Sequence, residues 1–242
     1  MSMIGRLRKW YRRIYDFNYY NRDQWVASWA AQIPKGSRIL DVGAGIGKYR
    51  SLFSHCDYRT QDFGQERDTV GKYTPLDYVS DIMAIPVPDK SIDVVLCTEV
   101  LEHVAEPIRA VKEMARILKP GGTLLLTAPL GSFLHQEPFH FYGGYTPHWY
   151  RKFLSDAGFS VRSIDANRGF FSWFSQETYR LQELIRPRNT AGLGFRKRIG
   201  TTLVWIVVRP LAWVVPPIAY WLDGLGLDDT ATVGYHVCAV RL

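Results

Sequence analysis

The run Asp41-Val42-Gly43-Ala44-Gly45-Ile46-Gly47 limits what this chain can fold into more than any other stretch of its 242 residues. Ahead of it, Ile39, Leu40 and Val42 form a short apolar run that suits a strand buried on both faces. Glycine at 43, 45 and 47 then lets the backbone turn sharply and approach a ligand where a Cβ would clash. Lys48 to Phe53 offers a helical pattern, and a helix start there would turn free N–H groups toward polar ligand atoms. The arrangement reads as a nucleoside-cofactor site.

The glycine spacing narrows the cofactor. A dinucleotide fingerprint G-x-G-x-x-G requires glycine where Lys48 or Arg50 stands. Further along, Asp57 to Phe63 reads as a second strand ending at Asp62. An acid about 20 residues past the first strand is placed to accept both hydroxyls of a ribose. Leu76 to Ser80 reads as a third strand, followed by Asp81 and Ile82, and Ser91 to Cys97 as a fourth, followed by Glu99. A helix follows to Leu118, broken by Lys119-Pro120-Gly121-Gly122, and Thr123 to Thr127 makes a fifth strand. Thr146-Pro147 opens another helix, Phe159 to Ile164 is a sixth strand, and Val233 to Arg241 fits a last one.

The glycine run D-x-G-x-G-x-G and the later run IDVVLCTEVLEHV…EMARILKPGGTLLLTAP together resemble the class I S-adenosylmethionine-dependent methyltransferases of the small-molecule type. The motifs cover Arg38 to about Val161 in order and spacing. The resemblance implies S-adenosylmethionine as cofactor and a Rossmann-like α/β fold. That fold is a seven-stranded, mostly parallel sheet with helices on both faces and an antiparallel last strand. It further implies that Asp41, Gly43, Ala44, Gly45 and Gly47 surround the cofactor, that Asp62 binds its ribose, and that Asp81 bonds the adenine amine while Ile82 packs on the ring. Glu99 joins them, since ligands of such sheets bind at the carboxyl ends of the strands. An NAD-dependent enzyme and a non-catalytic module that keeps the cofactor fold are the competing classes. The glycine spacing opposes the first and the intact acid set the second.

Substrate chemistry belongs in Leu130 to Tyr150, which follows the fifth strand and holds three of the six histidines. Methyl transfer from an activated sulfonium asks the protein to position a nucleophile and take its proton. His140, then His135, have the chemistry of that base near neutral pH, and Glu137 is placed in sequence to orient either one. His103 is a further candidate. His135-x-Glu137-x-x-His140 also offers three metal ligands, but Pro138 and the loop setting oppose a preformed site, so no metal is expected.

The net charge of +7 is concentrated. Residues 1–15 carry +5 and residues 180–200 another +5, which leaves the rest at −3. A broad nucleic-acid surface is therefore not expected, and a local anionic partner or membrane surface is. Three scattered cysteines without C-x-x-C spacing point to a reducing compartment and no structural zinc.

Met1 to Tyr20 reads as a basic amphipathic helix, either packed over the cofactor mouth or lying on a membrane. Between the sixth and last strands lies a helical insertion in which Thr201 to Leu222 is apolar enough to suggest a membrane span. Arg209 within it, and Pro210, Pro216 and Pro217 as helix breakers, argue against a crossing. The run then lies on a membrane, caps the cleft, packs on the sheet or forms a homodimer interface.

The expected organisation is a basic helical segment over 1–35, a cofactor-binding core over 36–165, a basic and apolar helical insertion over 166–231 and a closing strand over 232–242. The expected activity is methyl transfer to a small-molecule acceptor, a hydroxyl of a sugar or lipid-linked intermediate, with C-methylation of a quinone-like prenylated substrate as the alternative. The expected location is the cytoplasm, peripheral to the inner face of a membrane.

Overall fold

The computed structural model describes residues 3–65, 75–227 and 230–242. Its strands are β1 (Arg38–Val42), β2 (Asp57–Asp62), β3 (Tyr78–Val79), β4 (Ile92–Thr98), β5 (Leu118–Pro129), β6 (Phe159–Ala166) and β7 (Gly234–Arg241). The helices are α1 (Met3–Tyr15), α2 (Phe17–Ala30), α3 (Pro107–Ile117), α4 (Pro147–Asp156), α5 (Phe170–Leu184), α6 (Phe195–Val208) and α7 (Leu211–Asp223). The chain divides into two compact units, Arg22–Asp165 with Gly234–Leu242, and Met1–Asn21 with Ala166–Val233.

The first unit is a seven-stranded sheet in the order β3-β2-β1-β4-β5-β7-β6. β1 pairs in parallel with both β2 and β4, and β7 runs antiparallel to β5. Because the chain winds outward from β1 in both directions, the strand order reverses between β1 and β4. Such a switch point leaves an open crevice at the carboxyl ends of the strands. Continuous apolar runs supply the parallel strands: Ile39, Leu40, Val95, Leu96 and Cys97 are all fully buried. α3 starts with Pro107 in its first turn and turns Ala110, Val111, Met114 and Ile117 inward. Thr146 caps α4 as its sequence requires, its side chain accepting the Trp149 N–H at 3.3 Å.

One expected helix is nearly absent. After the glycine turn only a short 3-10 turn forms, Arg50–Phe53. Too few residues remain before β2 for both a glycine loop and a full helix. Val26 and Ala30 of α2 pack instead with Ile39, Phe53, Tyr58 and Leu96, covering that face of the sheet.

The second unit is built around α5 and α7, which pack together. Its buried positions include small residues, Ser172, Ser175 and Thr178 on α5 and Ala212, Pro216 and Ala219 on α7, beside the larger Ile14, Phe17 and Gln182. Small residues let two helix backbones approach closely. The helix-breaking role expected of the prolines holds at Pro210, since α6 ends at Val208 and α7 starts at Leu211, but not at Pro216 and Pro217, which α7 runs through. The helical run Phe195–Asp223 is long enough, and contains a window apolar enough, to cross a membrane. Pro216 survives there because it belongs to the buried seam with α5. Asn167 is buried between Asn18 and Asn21, bonded to each side chain at 2.8 and 2.9 Å.

α5 begins at Gly169 without a side-chain cap of its own. Asp223, at the end of α7, supplies one from a distance: its carboxylate accepts the N–H groups of Gly169, Phe171 and Ser172 at 3.1–3.2 Å. A carboxylate at a helix N-terminus satisfies orphan donors and complements the helix dipole. Asp223→Ala is therefore expected to cost about 2 kcal/mol of unfolding free energy and to speed amide exchange in the first turn of α5. Denaturant titration and hydrogen exchange read both, and Asp223→Asn should lose less.

Candidate functional site

A cavity of about 370 Å³ opens where β1, β2 and β4 end, lined at one side by Gly43, Gly45, Asp62, Asp81, Ile82 and Glu99. That volume lies within the range of small-molecule and cofactor sites. The glycines are required, not decorative. Gly43 holds φ 68°, and a Cβ there would fall 2.4 Å from the Val100 side chain. Gly45 holds φ 52° with open space where its side chain would be. Both dihedrals lie in the left-handed region that glycine adopts at little cost.

Asp62 organises the rim. One carboxylate oxygen accepts the Gly45 N–H at 2.9 Å and the other the Gly64 N–H at 2.9 Å. The glycine loop also reaches β2 through the Ala44 N–H, which donates to the Gln61 carbonyl at 3.0 Å. Asp62 keeps lone pairs for a diol after both bonds, since a carboxylate accepts about four. Asp81 caps its own turn, one oxygen accepting the Met83 N–H at 2.8 Å, which leaves the second for a ligand amine. Gln61, buried beside them, donates to the Ser80 carbonyl at 2.7 Å while its side-chain oxygen has no partner. The face thus offers a glycine cradle, acceptors for a diol and an amine, and the apolar Ile82.

Three expected cofactor residues stand elsewhere. Asp41 does not line the cavity. It is buried below the loop, where the Tyr58 hydroxyl donates to its carboxylate. Burial pushes its pKa up to about 7; the Tyr58 bond opposes that and the charge of Asp62 adds to it. Ala44 and Gly47 also lie outside the lining and shape the loop through their backbone, as in the Gly47 N–H bond to the Ala44 carbonyl at 2.8 Å. Glu99 does reach the cavity, from a backbone at φ 55°. Its carboxylate accepts the Thr127 hydroxyl at 2.8 Å and pairs with Arg22 at 3.0 Å.

The same cavity is also lined by His103, Val104, Gln136, Phe139 and Phe141. The loop after β5 is stitched over the segment after β4 by backbone and side-chain bonds. Phe141 and Tyr142 donate their N–H groups to the Glu102 carbonyl, and Tyr145 its hydroxyl to the Leu101 carbonyl at 2.6 Å. His103 Nδ1 bonds the Phe139 carbonyl at 2.7 Å. This folding brings His135 and His140 to His103. Ring centroids are 4.8 Å apart for His103 and His135, 4.6 Å for His135 and His140, and 5.8 Å for His103 and His140. Burial and the neighbouring imidazoles hold His103 below the usual histidine range, and burial and His135 do the same for His140.

Glu137 orients neither histidine. His135 Nδ1 bonds the Phe133 carbonyl at 2.8 Å, and His140 Nε2 meets the Ser132 hydroxyl at 2.9 Å. Glu137 stands exposed on the loop. The carboxylate that approaches the imidazoles is Glu102, whose Oε1 lies 3.8 Å from His103 Nε2. Glu102 is 2% exposed, one of its oxygens has no hydrogen-bond partner, and burial followed by the charge of Glu99 pushes its pKa up to about 8. Sequence reasoning passed over Glu102, Arg22 and Tyr58. The one available signal was Glu102-His103 placed directly after a strand end.

Residues 40–126 match a family model described as a methyltransferase domain. An uncharacterized methyltransferase of Mycobacterium sp. (strain KMS) is 31% identical, over 61% of this chain and 64% of its own length. A second relative, from Mycobacterium bovis (strain BCG / Pasteur 1173P2), is 32% identical over 57% of this chain and 65% of its own. The chain thus spans just under two thirds of the length of these curated relatives. Among solved structures, a putative methyltransferase from Bacillus halodurans superposes with a TM-score of 0.51 at 15% identity, covering 89% of this chain and 98% of that one. A phosphoethanolamine N-methyltransferase from Haemonchus contortus, solved with phosphomonomethylethanolamine and S-adenosylhomocysteine, gives 0.51 at 17% identity over 91% of this chain and 52% of its own. At these identities the structural likeness establishes the fold.

The buried Asp41 makes stability depend on pH. Its folded pKa, about 7, lies above the ordinary value of 3.8, so the unfolded chain loses this proton first as pH rises. The contribution is full below about pH 4 and lost by about pH 7, up to about 4 kcal/mol at about 1.4 kcal/mol per unit. In Asp41→Asn that loss is absent. Denaturant titrations at pH 5 and pH 8 should show the variant gaining on the parent protein by about 2–3 kcal/mol between the two.

Proposed function

We propose that this protein, whose residues 40–126 match a methyltransferase-domain model on the sheet order described above, transfers a methyl group from S-adenosylmethionine to a hydroxyl of a small-molecule acceptor. The observation that carries the reading is that one cavity is lined both by Asp62, locked to the glycine loop and with acceptors for a ribose, and by His103, whose ring meets His135.

The residues present fit the cofactor. Gly43 and Gly45 line the cavity with bare backbone, Asp62 would accept from the ribose diol, the second oxygen of Asp81 would accept the adenine amine, and Ile82 would pack on the ring. When bound, S-adenosylmethionine supplies a methyl group on a positively charged sulfur. The protein's share is to hold an acceptor oxygen in line and remove its proton. His140 is the base in this reading. It is neutral near pH 7, its ring is steadied by Ser132, and it stands in van der Waals reach of His135. Phe139 and Phe141 give the acceptor side an apolar wall that excludes water. A sugar or lipid-linked hydroxyl suits that mixture of imidazole and aromatic surface. C-methylation of a prenylated quinone-like ring would use the same wall without needing the base.

The second unit supports attachment to an anionic membrane surface. Small and partly polar residues fill much of the buried surface of α5 and α7, while Leu203, Val207, Trp213 and Trp221 are exposed, Val207 by 74%. A surface of that kind marks a membrane or partner contact. Arg6, Arg8 and Lys9 on α1 and Arg196, Lys197 and Arg198 on α6 would meet anionic head groups. This also suits a lipid-linked acceptor and a peripheral location.

Calorimetric titration tests the first reading. S-adenosylhomocysteine should bind and NAD should not, and Asp62→Ala should weaken binding by at least about tenfold, the loss of one hydrogen bond to a charged group. In assays with a labelled methyl donor, His140→Ala should keep S-adenosylhomocysteine affinity and lower kcat by about 10²–10⁴-fold on a hydroxyl acceptor. An unchanged kcat would favour carbon methylation. Vesicle sedimentation tests the second: binding to anionic but not zwitterionic vesicles, reduced about tenfold by Leu203→Glu or Val207→Glu, since each removes a buried apolar side chain from the bound state.

A further inference from the structure

We propose that Glu102, His103 and His135 bind one divalent transition-metal ion, of the zinc type, at the acceptor end of the cavity. Their ligand atoms all lie within 4.8 Å of one another, and His103 Nε2 is 3.8 Å from Glu102 Oε1. Among the described residues this is the group of histidine and carboxylate side chains that comes together in this way.

Two further observations point to an ion. The first is the tautomer of both histidines. His103 Nδ1 bonds the Phe139 carbonyl and His135 Nδ1 bonds the Phe133 carbonyl. A carbonyl only accepts, so in each neutral ring Nδ1 carries the hydrogen and Nε2 presents a bare lone pair. Metal-ligating histidines are oriented in this way, by a bond from the second nitrogen to a carbonyl or carboxylate. The second is Glu102. Its side chain is 2% exposed; Oε1 lies 3.8 Å from His103 Nε2, and Oε2 is buried with no hydrogen-bond partner. Native proteins rarely leave a buried carboxylate so poorly partnered, and an ion bound through it would offset that cost.

Two imidazoles and one carboxylate form a donor set used by catalytic zinc and by other first-row divalent ions, with coordination positions left open. Bonds of about 2.0–2.2 Å would draw the three ligand atoms to about 3.4 Å apart. Glu102 is fixed, its carbonyl clamped by the N–H groups of Phe141 and Tyr142, and His103 by Phe139. His135, on the exposed loop, supplies the remaining movement of about 1 Å. The metal set that the sequence suggests, His135 with Glu137 and His140, is a different one; folding substitutes Glu102 for Glu137 and leaves His140 outside.

What the ion does rests on the methyl-transfer reading. An open position holds the acceptor oxygen and lowers the pKa of its hydroxyl, while His140, 4.6 Å from the His135 ring, receives the proton.

The experiment titrates chelator-stripped, full-length protein with Zn²⁺ against a chromophoric chelator, and with Co²⁺ by visible absorption. One equivalent is expected, with Kd below about 1 μM and the d–d bands of nitrogen-ligated Co²⁺. His135→Ala and Glu102→Gln should each weaken it by at least about 100-fold, since losing even an outer-shell partner costs 10–100-fold. His148→Ala, exposed on α4, should not. S-adenosylhomocysteine titration of the same samples shows that each variant is folded. Failure of the parent protein to bind an equivalent of metal, or binding that survives both His135→Ala and Glu102→Gln, overturns the proposal. If metal fails while S-adenosylhomocysteine binds, the ion is wrong and the methyltransferase reading stands. If metal binds while S-adenosylhomocysteine does not, the ion stands and its role in methyl transfer falls.

Discussion

The bond from the Gly45 N–H to Asp62 joins the two halves of the cofactor face, and the rest of the site depends on it. A glycine loop at positive φ is conformationally loose, since glycine loses more freedom on folding than any other residue. Asp62 removes that freedom from outside the loop, fixing Gly45 with one oxygen and Gly64 with the other. The carboxylate in turn can stand there only because β2 lies next to β1 in parallel register, Val42 opposite Gln61. Sheet order, glycine geometry and the position of the acceptor oxygens are therefore one constraint. The same logic places Asp81, since β3 adds to β2 with Asp62 opposite Val79 and delivers the next acid to the same rim.

Features controlled by neighbours in sequence were legible there. Apolar runs gave β1, β4 and the second half of β5, whose strand in fact starts earlier, at Leu118, and runs through Lys119 to Gly122. Thr146-Pro147 gave the start of α4, and acids at or just past strand ends gave Asp62, Asp81 and Glu99 as cavity-lining residues. Asp41 shows where that reasoning stops. In sequence it is another acid near a strand end, but it lies within β1, and its side chain turns to Tyr58 on the neighbouring strand and not to the cavity. Glu102 and His135 lie 33 positions apart in the numbering and meet only because the loop after β5 is bonded back over Leu101 and Glu102. No periodicity announces that closure. The prolines of α7 failed as stop signals for a related reason: a local rule predicts a broken helix, and packing of Ala212, Pro216 and Ala219 against α5 overrides it.

The two units place different demands on the same sequence. The first follows the usual rule of apolar residues inside, and its fold alone leaves function open, since one architecture hosts many chemistries. The second buries Ile14 and Phe17 but along α5 and α7 partly reverses the rule, with serine, threonine and alanine buried and leucine, valine and tryptophan outside. In water that reversal forfeits hydrophobic stabilisation. Against hydrocarbon it costs nothing, because close packing of small residues then drives association. Asp223 belongs to this logic: with little apolar burial to hold α5, a carboxylate across three N–H groups becomes one of its main restraints.

Charge connects the fold to the chemistry. Asp62, Asp81, Glu99 and Glu102 gather where β2, β3 and β4 end, with Asp41 buried just below, and among the described ion pairs Arg22 with Glu99 is the one that brings a permanent cation to this set. Burial away from water is what raises Asp41, and the charge of Asp62 adds to it. A pocket of this kind has an excess of acceptors and a shortage of positive charge. It repels a phosphate-bearing dinucleotide and welcomes a sulfonium, which brings its charge with it and leaves it behind as neutral thioether once the methyl group has moved. Acceptors at the strand ends would favour binding of the charged cofactor over its neutral product, while charge held in the ground state does not by itself speed the methyl transfer.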